Sequence, residues 1–113
     1  MIDETIVQNL LSGLLSSKPA ERERSADEVT DFVRRLDITQ ANRIGSGLVH
    51  AALVESVDTA LEAQLNAVDE LTVWHQIDRR DINKLLALDP TLLGPSEQEY
   101  LSNLRNYCRL ANR

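Results

Sequence analysis

The stretch LVHAALVESVDTALEAQLNAVDEL, residues 48–71, decides the fold. Its Leu, Val and Ala residues recur three and four positions apart on both sides of a short polar break. That period belongs to two amphipathic helices joined by a turn, not to strands. On a wheel of about 100° per residue, Leu61, Leu65 and Val68 form one apolar stripe of the second helix. Ala60, Ala63, Ala67, Leu71 and Trp74 form another beside it, while Asp58, Glu62 and Asp69 project from the remaining side, with Asn66 and Glu70 close by. Two apolar flanks are what a helix needs when it packs against its own partner and also against a neighbouring unit.

Working outward, residues 3–16 place Ile6, Val7, Leu10, Leu11, Leu14 and Leu15 at helical spacing. Ser17, Lys18 and Pro19 make a turn, with Pro19 suited to the first helical position. The helix that follows reaches about Leu36, with Ala26, Val29, Phe32, Val33 and Leu36 inward and Asp31 one turn before Arg35 as an ion pair. Thr39 is the expected N-cap of a third helix that turns Ile44, Leu48, Ala51 and Ala52 inward and ends near Glu55. Ser56 or Asp58 caps the fourth, which ends near His75. Asp78 caps a fifth, with Ile82, Leu85 and Leu86 inward, before Asp89 and Pro90 stop it. Ser96 and Glu99 have capping-box spacing and open a sixth, carrying Leu101, Leu104, Tyr107 and Leu110. No run alternates like a strand, and no Asn-Gly or Asp-Gly hairpin signal occurs. The expectation is one all-α domain over residues 1–113 with about six helices.

The chain also resembles itself at an offset of 39 residues: Leu14 and Leu15 map to Leu53 and Val54, Ala26 to Leu65, Val29 to Val68, and Phe32 to Leu71. Agreement on both sides of a turn is harder to reach by chance than agreement within one helix. A second step leads to Leu92, Leu93, Leu104, Tyr107 and Leu110, where Asp89-Pro90 leaves the third unit degenerate. Residues 48–71 resemble a HEAT repeat, and LLSGLLSSKPAERERSADEVTDF, residues 10–32, looks like a poorer copy. The resemblance to HEAT-like and armadillo-like proteins implies three antiparallel helical pairs, near residues 3–37, 39–76 and 78–111, stacked as a short right-handed α-solenoid. The arginine familiar near the start of the second HEAT helix has no counterpart in the middle unit, where Ala60 and Leu61 stand. An ordinary helical bundle is the competing architecture.

Composition narrows the functional classes. Eighteen acids against twelve bases give a formal charge of −6, which repels phosphate backbones and weighs against nucleic acid as the principal partner. The N-terminus carries acids where a secretory signal has bases, and no apolar run is long enough to span a membrane, so a cytoplasmic protein is expected. Cys108 is the only cysteine, which leaves no internal disulfide and no cysteine-based zinc site and predicts a buried, inert thiol. His50 and His75 lack metal-ligand spacing; His75 reads as a partly buried structural histidine and His50 as a surface residue. Gly45-Ser46-Gly47 lacks the rest of a phosphate loop and reads as a site of close helix packing. Neither an enzyme, nor a metal, nor a cofactor is expected from so thin a supply of catalytic groups.

What remains is binding. Residues 41–77 hold one base, Arg43, against Glu55, Asp58, Glu62, Asp69 and Glu70. These five carboxylates, with Trp74, are the expected partner-binding residues, and a basic protein surface is their complement. Trp74 has two readings, a hot-spot side chain or a core residue packed against the fifth or sixth helix. An immunity protein that neutralises a toxin, such as a nuclease with a basic active site, is one role of this kind; an adaptor or regulatory subunit is another. The competing class is a HEAT-like nucleic-acid binder with a groove lined by Arg34, Arg35, Arg79, Arg80 and Arg105.

Overall fold

A computed structural model describes residues 1–111. They contain six α-helices and no strand: α1 (Glu4–Leu14), α2 (Pro19–Phe32), α3 (Ile38–Val54), α4 (Asp58–Trp74), α5 (Arg79–Leu85) and α6 (Pro95–Ala111), with 3-10 turns at Val33–Arg35 and Pro90–Leu92. None of these helices is long and apolar enough to cross a membrane.

The helix ends show which local chemistry prevailed. Asp3 caps α1 by accepting from the Thr5 amide, and Pro19 opens α2 as expected. Helix α3 is capped by Asp37, not Thr39. Asp37 accepts from the Gln40 amide at 2.8 Å while the Gln40 side chain accepts from the Asp37 amide, a reciprocal box that Thr39, inside the first turn, cannot form. Gln40, itself buried, also bonds both backbone groups of Ile2, which fastens the N-terminus to α3. Neither Ser56 nor Asp58 caps α4; Val57 holds that position with no side-chain bond, and Asp58 is the first helical residue. Asp78 caps α5 as expected. At α6 the Ser96–Glu99 box is replaced by Glu97, whose carboxylate accepts from the Gly94 amide at 2.6 Å.

Helix α1 packs on α2, α3 on α4, and α5 on α6; α1, α3 and α5 also touch in that order, as do α2, α4 and α6. Helix α4 is therefore bounded by α2, α3 and α6, and it buries both expected flanks: Leu61, Leu65 and Val68, and Ala60, Ala63, Ala67 and Leu71. One hydrophobic cluster runs from Ile2 to Cys108 through every helix. Most other expected core positions are inside, but Leu15 is 80% exposed, because it follows the last turn of α1 and meets water. Phe32 is only partly buried. The Asp31–Arg35 pair does not form: Arg35 instead lies over the Phe32 ring, 4.8 Å from its centre.

Close approach is built from small residues. A Cβ on Gly45 would touch Ile77 at 3.4 Å, and one on Gly47 would lie 2.9 Å from Leu11, so both glycines face neighbouring side chains as expected of close packing. The tighter point is Gly13, where an added Cβ would come within 2.8 Å of the Ser25 Cβ and nearer still to its hydroxyl. Gly13→Ala should therefore lose about 1–2 kcal/mol in urea unfolding despite its better helix propensity, because α1 and α2 must separate. Adding Ser25→Gly removes the obstacle and should recover part of the loss. A single Gly13→Ala variant as stable as the parent would contradict this crossing.

Candidate functional site

The carboxylates expected to form one ridge along α4 separate into three environments. Glu55 is withdrawn from the surface altogether, with its side chain 1% exposed. Arg22, near the start of α2, grips it from two directions, Nε to Oε1 and Nη2 to Oε2, each at 2.8 Å. Gln64 donates to it at 2.9 Å, and the amides of Ser56 and Val57 also donate. Glu55 thus closes the turn between α3 and α4 and ties it to α2. The Arg22 hydrogen bonds outweigh the cost of burial and hold the carboxyl at about 2, well below its ordinary 4.5.

The second group is exposed. Asp58 and Glu62 face water on α4, and Glu62 meets Glu23 and Asp27 of α2 across a shallow cleft of about 250 Å3 floored by Thr59 and Ala63. Burial, then the charges of Glu23 and Asp31, push the Asp27 carboxyl above its ordinary range.

The third group lies toward α6. Asp69 is half-buried and accepts from Asn103 Nδ2 at 3.1 Å. Burial raises its carboxyl first, with Glu70 and Glu99 adding to the effect. Tyr100 sits among these groups: burial, then Glu62, Glu99, Asp69 and Glu97, raise its phenol. Glu70 is half-buried beside Asp69. The acidic surface therefore spans α2, α4 and α6. The offset of 39 residues was the signal for its α2 part, since it carries Glu23 onto Glu62 and Asp31 onto Glu70.

Trp74 is not the core residue that one of its two readings required. It is the last residue of α4 and 45% exposed, and the Arg34 guanidinium lies 4.2 Å from its ring centre. The next residue, His75, is partly buried and bonds the Val33 carbonyl at 2.7 Å, which holds the end of α4 against the end of α2. His50 is exposed, and Cys108 is buried with its thiol raised by burial.

A cleft of about 710 Å3 adjoins the α4–α5 loop. Two of its polar side chains, Asn42 and Tyr107, are spent on that loop. Asn42 bonds the Gln76 carbonyl and the Asp78 amide, and the Tyr107 hydroxyl bonds both backbone groups of Ile77. Among the described residues, no group of three or more His, Cys, Asp or Glu is placed to hold a metal ion. Of the arginines expected to line a groove, Arg80 is bonded to its own cap, Asp78. No family model, curated protein or solved structure matches the chain.

Breaking the Arg22–Glu55 pair should be costly, because the half-buried Arg22 would lose its carboxylate and keep only the Ser16 carbonyl. Glu55→Gln is expected to lose about 1–3 kcal/mol at neutral pH. The folded-state value lies below the unfolded one, so the pair's contribution is fully present above about pH 4.5 and fades as pH falls toward 2. Urea midpoints of the two proteins, compared from pH 6 to pH 2, should converge at the acid end. A constant difference would show that Glu55 titrates normally.

Proposed function

We propose that the chain is a short HEAT-like α-solenoid of three helical pairs that works without catalysis, as a protein-interaction module. In this reading the exposed face of its second helices, α2, α4 and α6, binds a basic surface of another protein. The order of packing supports the architecture, since first helices touch first helices and second helices touch second helices along the chain. The observation that carries the function is the convergence of Glu23 and Asp27 with Glu62, and of Asp69 with Glu99 and Tyr100. Burial raises the carboxyls of Asp27 and Asp69 first, with Glu23 and Asp31 of α2 adding to Asp27 and Glu70 and Glu99 adding to Asp69, and an arriving guanidinium or ammonium group relieves both. Neutralising a nuclease toxin is one role such a face suits, because a site built for phosphates is basic. Adaptor and regulatory roles use the same surface chemistry, and the cytoplasm is the compartment proposed.

The alternative, a nucleic-acid binder, works against the formal charge of −6, which repels a phosphate backbone. The two readings separate in one experiment. A panel of basic proteins and a duplex oligonucleotide are passed over the immobilised chain at about 50 and 150 mM salt. Basic proteins should bind with a strong salt dependence and the oligonucleotide should not. Reversing charge at Glu23, Asp27 and Glu62 together should slow protein association about tenfold or more while leaving helicity intact. Unchanged on-rate and affinity in that variant would remove the acidic face as the docking surface.

A further inference from the structure

The basic end of the same molecule is organised differently. Arg34 and Arg35 are neighbours on the 3-10 turn that follows α2, and both are exposed. Each guanidinium is set over an aromatic ring, Arg34 over Trp74 at 4.2 Å and Arg35 over Phe32 at 4.8 Å. Neither forms an ion pair or a hydrogen bond among the described residues, although the chain holds eighteen acids. Asp31 stands one turn before Arg35, and Glu70 one turn before Trp74, yet neither is drawn into a pair.

The placement has a consequence for binding. A guanidinium whose carbon lies over a ring, with no ion pair of its own, keeps N–H donors for the fork that meets a carboxylate through two parallel bonds. The ring also restricts the side chain before a ligand arrives, which lowers the ordering cost of binding. Trp74 is still 45% exposed beneath Arg34, and its neighbour Val73 is 68% exposed, so apolar surface adjoins the charge. An exposed tryptophan beside an arginine is the composition of an interface hot spot.

We propose that Arg34, Arg35 and Trp74 form a second docking point, for a short acidic segment of a partner protein that carries a carboxylate next to an apolar side chain. The carboxylate is held by the stacked guanidinium, and the apolar group covers Trp74 and Val73. A localised carboxylate fits better than nucleic acid, because a continuous phosphate backbone leaving this point would meet the charge of Glu70 and the carboxylates beyond it. The two docking points have opposite signs, so a partner using both meets them in one orientation only. The inference does not rest on the acidic face, and either can fail alone.

Trp74 is the only tryptophan, so its fluorescence reports on this point and no other. The probes are acidic dodecapeptides with one to three Glu or Asp residues beside a Leu or Phe, tested at about 100 mM salt to screen the net charge. Lysine-substituted versions of the same peptides and a single-stranded oligonucleotide serve as comparisons. Acidic peptides should change the emission saturably. The double variant Arg34→Ala/Arg35→Ala should weaken them at least tenfold with an unchanged circular dichroism spectrum. Arg34→Lys, which keeps the charge but loses the fork, should weaken them severalfold, and reversing Glu23, Asp27 and Glu62 should leave them bound. The proposal is overturned if no acidic peptide saturates the signal, if Arg34→Lys binds like the parent, or if the oligonucleotide binds more tightly than every peptide.

Discussion

Everything at the surface of this molecule depends on how completely α4 is enclosed. Three helices close on it, and its alanines at positions 60, 63 and 67 let them come near while Leu61, Leu65, Val68 and Leu71 fill the space between. Only a narrow strip is left to water. Charged residues on a helix so enclosed have nowhere else to go, and the strip faces the carboxylates of α2 on one side and those of α6 on the other. The density of negative charge is therefore a product of packing as much as of composition.

Enclosure also explains why one carboxylate was spent internally. Glu55 sits where the chain turns from α3 into α4, and that turn carries amides that need acceptors. A carboxylate with several lone-pair sites accepts from two amides, Gln64 and Arg22 together, which a neutral side chain does less well. The buried Gln64 contributes its amide group to that network while its Oε1 has no partner among the described residues. The arrangement is a polar joint at the margin of the apolar core, and its cost is tolerated because each charge in it is matched.

Periodicity made the helices and most of the core legible in the sequence. Alternating flanks on α4, proline at the head of α2 and Asp78 at the head of α5 are local signals, and local signals survive without coordinates. The sequence was less informative wherever two candidates of similar chemistry competed for one role. Asp37 prevailed over Thr39 because Gln40 reciprocates, and Glu97 over Ser96 because its carboxylate reaches the Gly94 amide. The burial of Glu55 and the exposure of Trp74 escape the sequence for a different reason. A helical wheel shows which face of one helix a residue occupies but not which other helix arrives there, so neither the grip of Arg22 nor the stack of Arg34 was visible from spacing alone. The acidic face was underestimated for the same cause, with α2 and α6 contributing residues that a single-helix projection omits.

The account stands most directly on whether carboxylates from separate helices are close enough to repel one another. Side-chain carboxyl titration by carbon-13 NMR measures this residue by residue. Asp27 and Asp69 should titrate above the ordinary aspartate range, in contrast to Glu55 at about 2. Replacing Glu99 of α6 with Gln should lower Asp69 of α4 and leave Asp27 in place. An Asp69 value at or below that of an isolated aspartate, or one that Glu99→Gln leaves unmoved, would contradict the account, because α4 and α6 would then not be sharing a crowded acidic surface.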